Sequence, residues 1–277
     1  MQGHGRTGQQ ETDGDQRAMR QTVAPSMDEA ARGGRAGPEV YARGWKAAGA
    51  ALVDHVTSLW PDLLPSACLI CEQVQREVVC TACADALLRP VPRCPRCAMP
   101  DSVGLCGTCA DDDPIDATLT LGDYAAPFDR LILRLKFGAR LPAAGWIAVQ
   151  LASQLRATPL PDLLLPIPLS SHRLAERGFN QAWEITRPLA RQLGIASSAT
   201  QLVRDRDTPS QRALDLASRH ANLRDAFGLS DAGAVSGTHV GLIDDVMTTG
   251  ATLREAARVL KAHGAARVTA IAALRTP

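Results

Sequence analysis

A chain of 277 residues with a formal net charge of +1 and 45% apolar side chains is long enough for one ordinary domain plus a small one, and it can bury a core. The near-neutral balance argues against a chain-wide basic face for nucleic acid or membrane, while leaving room for a local one. No run approaches the roughly 20 apolar residues of a membrane helix, and the polar, mixed-charge opening lacks the apolar core and cleavage site of a secretory signal, so a cytoplasmic location is the default expectation.

Residues 1–38 are rich in Gly, Gln, Arg and Asp with few large apolar groups, and are expected to be disordered. From Glu39 the pattern turns helical. Trp45, Leu52, Val53, Val56, Leu59 and Trp60 suit one face and Pro61 ends it, which predicts a lead-in helix within residues 39–66. Its polar face is not rich in Lys or Arg, so packing on its own domain is favoured over a membrane surface.

All eight cysteines follow: Cys68, Cys71, Cys80, Cys83, Cys94, Cys97, Cys106 and Cys109. They form four CxxC pairs separated by 8, 10 and 8 residues, in a stretch with little else to build a core. A two-residue gap lets both thiolates of a knuckle point at one metal, and Zn²⁺ takes four such ligands in a tetrahedron. Two closed, structural zinc sites are therefore expected within residues 67–112. A disulfide framework would need a secretion signal, a redox CxxC would stand singly near a βαβ unit, and the spacings do not match ferredoxin-type iron–sulfur runs. The 8-10-8 symmetry suggests a tandem pairing, and spacing alone leaves a crossed pairing open. The module reads equally as a surface for nucleic acid or a partner and as a metal-stapled lid.

Asp111-Asp112-Asp113-Pro114 marks a boundary, and residues 115–277 alternate between strand and helix patterns. Strands are predicted at 117–123, 162–167, 200–204, 238–244 and 266–273, and helices at 127–137, 142–156, 180–193, 212–223 and 250–263. Such alternation implies an α/β domain: a mostly parallel sheet with helices on both faces. In its fourth strand, Val240, Leu242 and Ile243 lead to adjacent carboxylates, Asp244 and Asp245. The run Met247-Thr248-Thr249-Gly250-Ala251-Thr252 then opens a helix that Gly264 stops. Successive backbone N–H groups at a helix N-terminus favour an anion, Gly250 permits close approach, and the threonine hydroxyls add donors. The two carboxylates suit neighbouring ribose hydroxyls, at the strand edge where open α/β sheets bind ligands.

At this point the run from Val240 to Leu253 resembles the phosphoribosyl pyrophosphate loop of type I phosphoribosyltransferases. The wider pattern is similar to the ComF/GntX family, linked to competence and DNA utilization. The resemblance is carried by the double cysteine ribbon, Leu133-Arg-Leu-Lys-Phe-Gly138, Leu165-Pro-Ile-Pro-Leu with Arg173-Leu-Ala-Glu-Arg-Gly-Phe-Asn-Gln181, and Thr208-Pro-Ser-Gln-Arg with Arg219-His-Ala-Asn-Leu-Arg-Asp-Ala-Phe227.

The resemblance implies that Asp244 and Asp245 are the catalytic pair, holding the ribose hydroxyls directly or through Mg²⁺. Val246, Met247, Thr248, Thr249, Gly250, Ala251 and Thr252 would complete the phosphoribosyl pyrophosphate site, with Thr248 to Thr252 on the 5′-phosphate. The segment after Pro166 and Pro168 would approach the pyrophosphate, with Arg173 and Arg177 as counter-charges. A solvated helix face explains those arginines equally well. Lys136, one of three lysines, is a candidate pyrophosphate contact or a snorkelling surface residue. Asn180 reads as an N-cap and Phe179 as core more than as a stacking platform. The segment Arg204 to Arg219 would take the place of the flexible active-site loop.

Two functions follow. One is a protein that binds phosphoribosyl pyrophosphate and serves DNA uptake or utilization, with single-stranded DNA and uptake proteins as partners. The other is an active nucleobase phosphoribosyltransferase in nucleotide salvage. From Ser170 to Arg224 nine Arg stand against five acids, which fits either a phosphate backbone or a pyrophosphate. No acceptor pocket is legible in residues 115–140.

Overall fold

The computed structural model describes residues 66–109, 111–204 and 226–277. The segment expected to be disordered, the lead-in helix up to residue 65 and the helix expected at 212–223 lie outside the described residues, as does most of the Arg204–Arg219 segment.

The cysteine module opens with a two-stranded antiparallel hairpin, β1 (Ser66–Ala67) and β2 (Val74–Gln75), followed by helix α1 (Thr81–Leu87). Cys80 caps α1, its Sγ accepting the N–H of Cys83. The expectation of a module poor in core residues needs correction. Leu69, Ile70, Val79 and Leu87 are buried, and they join the same apolar cluster as the helices that follow. Strand β3 (Ala117–Asp123) lies so close to α1 that a Cβ on Gly122 would stand 2.5 Å from Leu87 Cδ1 and 2.9 Å from the Leu87 carbonyl.

Helices α2 (Asp129–Gly138) and α3 (Pro142–Leu155) follow, then β4 (Leu163–Pro166), α4 (Ser171–Arg177), α5 (Gln181–Leu193) and β5 (Ala196–Ser197). A short hairpin, β6 (Leu202–Arg204) with β7 (Phe227–Leu229), stands apart from the main sheet. The chain closes with β8 (His239–Met247), α6 (Ala251–Ala262) and β9 (Arg267–Arg275).

The main sheet has five strands in the order β3-β9-β8-β4-β5, every pair parallel. The expected strand at 200–204 does not belong to it. Gly194 ends α5 in the left-handed region at φ 68°, and the chain pairs with β4 at once through Ala196 and Ser197. Ser198 Oγ then accepts the N–H of Thr200 and Gln201 in a turn, so residues 202–204 emerge beyond the sheet and pair antiparallel with β7.

Side-chain alternation along β8 and β9 divides the core. Ile243 and Ile271 face α3 and α5, whose Ile147, Leu151, Ile185 and Leu189 are fully buried. Leu242 and Ala270 face α6, which packs Leu253, Ala256, Ala257 and Leu260 at helical spacing. Each large aliphatic side chain so buried contributes about 1.5–3 kcal/mol. The functional edge therefore stands on the central strand of a sheet packed on both faces. No helix among the described residues is long and apolar enough to cross a membrane.

Candidate functional site

The cysteines resolve into two tandem tetrads: Cys68, Cys71, Cys80 and Cys83, and Cys94, Cys97, Cys106 and Cys109. In each, the four Sγ atoms lie within 4.8 Å of one another. Four sulfurs about 2.3 Å from one ion would stand about 3.8 Å apart, and Cys71–Cys80 and Cys94–Cys109 are each at 3.7 Å. Backbone N–H groups of Ile70 and Cys80 point at Cys68 Sγ, both at 3.4 Å. Burial pushes the Cys68 thiol up, but the backbone N–H groups of Cys71, Cys80 and Ile70 outweigh it and bring it down to about 6, while burial and the neighbouring thiols push Cys83 up. Both tetrads suit zinc in closed structural sites.

The second feature is the end of β8. Asp244 faces a narrow cleft shared with Val246, Met247, Thr248 and the first turn of α6. Gly250 precedes that helix at φ 79°, in the left-handed region, and a Cβ there would lie 2.5 Å from Met247 Cε. Thr248 and Thr249 are exposed, whereas Met247 is buried in the core and offers the site only its backbone. Thr249 Oγ1 accepts the N–H of Ala251 at 3.3 Å.

The two carboxylates lie in different environments. Burial, and next the charge of Asp245, raise Asp244 to about 8, although its Oδ1 accepts the N–H of Asp245 at 2.8 Å. Asp245 is 4% exposed, and its Oδ2 meets Lys136 Nζ at 2.6 Å while its Oδ1 accepts the N–H of Val246. Lys136 is thus neither a snorkelling lysine nor an open counter-charge in the ligand-free protein, because α2 delivers it to a buried acid.

The expected pyrophosphate segment leaves the sheet beside this edge, since Pro166 pairs with Ile243. Arg173 lies on the exposed α4. Arg177 donates to Gln181 Oε1 at 2.6 Å and stacks over Phe137, with Cζ 5.6 Å from the ring centre. Its contacts are with α2 and α5. Asn180 caps α5 by accepting the N–H of Ala182, and its Nδ2 donates to the Ile167 carbonyl at 3.0 Å. Phe179 packs against the core.

Three residues around the phosphate loop escape sequence reasoning. Arg254 donates from Nε to Asp113 Oδ2 at 2.8 Å and from Nη1 to the Thr249 carbonyl at 2.7 Å. A cation in the first turn of a helix opposes the helix dipole, and that mismatch was the legible sign that Arg254 needs a partner. Asp113 reads from sequence only as part of a linker. Arg275, 5% exposed, donates to the carbonyls of Cys97 at 3.0 Å and Met247 at 3.4 Å.

The chain is similar to several known proteins. A family model of the phosphoribosyl transferase domain matches residues 180–277, a span that includes β8, the loop and α6. The chain is 35% identical to DNA utilization protein YhgH of Salmonella typhi over 217 residues, 74% of this chain and 95% of that protein. It is 30% identical to competence protein F of Haemophilus influenzae over 210 residues, 71% of this chain and 91% of that one. Among solved structures, adenine phosphoribosyltransferase from Leishmania tarentolae aligns at 16% identity with a TM-score of 0.35, covering 60% of this chain and 93% of that chain.

Proposed function

Because this chain belongs to the family of DNA utilization protein YhgH and competence protein F, we propose that it binds phosphoribosyl pyrophosphate at the end of β8 and serves DNA uptake or utilization. One observation carries the reading. Two adjacent carboxylates lie near the C-terminal end of the central strand of a parallel sheet, two residues before it gives way to a threonine-rich loop at a helix N-terminus.

The loop's backbone N–H groups and the hydroxyls of Thr248, Thr249 and Thr252 take the 5′-phosphate, where the α6 dipole favours negative charge. Gly250 lets the backbone approach it without a Cβ in the way. Asp244 accepts from a ribose hydroxyl. A carboxyl held up at about 8 by burial and by Asp245 lacks sufficient compensating charge, which is the environment a cation relieves. Asp244 is therefore the residue to hold Mg²⁺, which when bound supplies charge neutralisation for the pyrophosphate. Lys136 pairs with Asp245 and fixes its position, so the second carboxylate is oriented before ligand arrives. Arg173 and Arg177 lie on the helix that follows the β4 edge and supply positive charge on the pyrophosphate side. The cysteine tetrads hold zinc as structural sites.

Calorimetric titration of the zinc-loaded protein with phosphoribosyl pyrophosphate and Mg²⁺ tests this reading. Binding that is lost in the Asp244→Asn, Asp245→Asn double variant is expected, and a wild-type protein that takes up no ligand overturns it. The intact run from Asp244 to Thr252 favours a second reading, transfer to a nucleobase in nucleotide salvage. Pyrophosphate release across a panel of nucleobases distinguishes the two. Single-stranded DNA and DNA-uptake proteins are the proposed partners, and binding of a DNA oligonucleotide that weakens steeply with salt is the expected signature.

A further inference from the structure

We propose that the two cysteine tetrads brace opposite halves of this site. The first holds α2, and through it Lys136 against Asp245; the second holds the phosphate loop through Arg275 and Arg254. The inference rests on the ligand-binding reading above for its consequence, but its structural content stands on contacts within the protein alone.

The first tetrad begins in the knuckle Cys68-Leu69-Ile70-Cys71, and α2 rides on that knuckle. Arg130 donates to the Ile70 carbonyl at 3.2 Å, and Arg134 pairs with Glu72, the residue after Cys71, at 2.5 Å. Beneath them Cys68 and Ile70 share a core with Leu131, Ile132 and Leu135. Lys136 stands in the next part of the same helix, so the knuckle sets where its ammonium falls.

The second tetrad lies in the other core, where Cys94 and Cys97 are buried in one cluster with Met247 and Leu253. Arg275 spans from the Cys97 carbonyl to the carbonyl of Met247, the residue that opens the loop. Arg254 spans from Asp113, just beyond Cys109, to the Thr249 carbonyl inside the loop. A guanidinium suits such a span because its planar fork serves two acceptors at once. A cavity of about 620 Å³ is lined by Cys97, Met99 and Thr108 of the ribbon and by Thr248 and Thr249 of the loop. The polar links of Arg254 and Arg275, which also line this cavity, add to the apolar packing between ribbon and loop. A closed four-cysteine site fixes its knuckles only while metal is bound, and each brace is as firm as its tetrad.

Hydrogen–deuterium exchange on the full, ligand-free chain reads the two halves separately, and titration with ribose 5-phosphate and with phosphoribosyl pyrophosphate plus Mg²⁺ reads the consequence. Cys106→Ser is expected to speed exchange in 247–254 and to weaken ribose 5-phosphate roughly tenfold, a typical coupling between linked sites, while 129–138 stays protected. Cys71→Ser is expected to speed exchange in 129–138, to weaken phosphoribosyl pyrophosphate and to spare ribose 5-phosphate. If a cysteine variant also loses protection in β8 and β9, it has unfolded. Arg254→Gln and Arg130→Gln, which keep all eight cysteines and should keep two zinc ions per chain, then decide the matter with the same paired readouts. Unchanged exchange in both of these variants, or equal loosening of both segments from either tetrad, overturns the proposal. A wild-type protein that binds neither ligand sinks the site reading, while the exchange measurements still decide the bracing.

Discussion

Replacing Lys136 with Met isolates the electrostatics at the end of β8. The variant keeps most of the side chain's length and apolar stem, and removes the charge that meets Asp245 at 2.6 Å. Asp245 is 4% exposed and Lys136 21% exposed at the side chain, so water screens the pair from one side only. Breaking a buried ion pair by removing one partner costs about 3–5 kcal/mol, because the remaining charge is buried without compensation. Partial exposure of Lys136 puts the expected loss near about 3 kcal/mol, and for a domain of this size that lowers the melting temperature by roughly 6–12 °C. Calorimetric melting at pH 7 in zinc-containing buffer without ligand measures it. The Lys136→Met, Asp245→Asn double variant removes both charges and should recover most of the loss. A single variant that costs less than about 1 kcal/mol, the range of exposed pairs, with no rescue in the double variant, would refute the assignment of Lys136 as the buried partner of Asp245.

Asp244 gives the site a pH dependence of defined sign. Its folded-state value, raised to about 8 by burial and by Asp245, means that between about pH 4 and 8 the folded protein keeps a proton that the unfolded chain has released. Its contribution to the stability of the ligand-free protein is therefore full below about pH 4 and is lost as pH rises, by up to about 1.4 kcal/mol per unit. Asp244→Asn retains an acceptor for the Asp245 N–H and removes that slope, so melting curves of wild type and variant should diverge from pH 5 to pH 8. Parallel curves would show that burial is not what raises the carboxyl. Gly250→Ala places a Cβ at φ 79° and 2.5 Å from Met247 Cε. It should cost about 1–2 kcal/mol in stability and weaken phosphate binding, and an unchanged titration would mean the loop binds in a different conformation.

Much of this was legible because the deciding physics is local. Strand β3 falls at its expected residues 117–123, and α3, α5 and α6 lie within a residue or two of expectation at each end. Pro142, Asn180, Gly194 and Gly250 carry the start and stop signals there. The loop between β8 and α6 was legible for the same reason: strand, acids, glycine and helix are contiguous. What sequence did not reveal is non-local. The periodicity of 200–204 fits a strand, yet the turn at Ser198 decides which sheet receives it. The Lys136–Asp245 and Arg254–Asp113 pairs join residues far apart in the chain; the helix-dipole mismatch at Arg254 marks the need for a partner, but which residue supplies it is set by the fold alone.

The choice between tandem and crossed cysteine pairing shows why that distinction matters for function. Along β8, Ile243 packs against the α3 and α5 side and Leu242 against the α6 side, and beyond the acids Val246 packs with the first core and Met247 with the second. Asp245 turns toward α2 and Lys136, and Asp244 toward the first turn of α6. The two carboxylates stay close enough to act on each other, and Lys136 acts on both, so the pair draws support from both cores. Tandem pairing supplies one closed cluster per face, with Cys68 in the core of the first face and Cys94 and Cys97 in that of the second. A crossed pairing would draw one ligand pair of each metal from the opposite core and would pull both knuckles off the faces they now support. The symmetric spacing of the cysteines is thus matched in the fold, with one cysteine tetrad in each of the two cores that meet at β8.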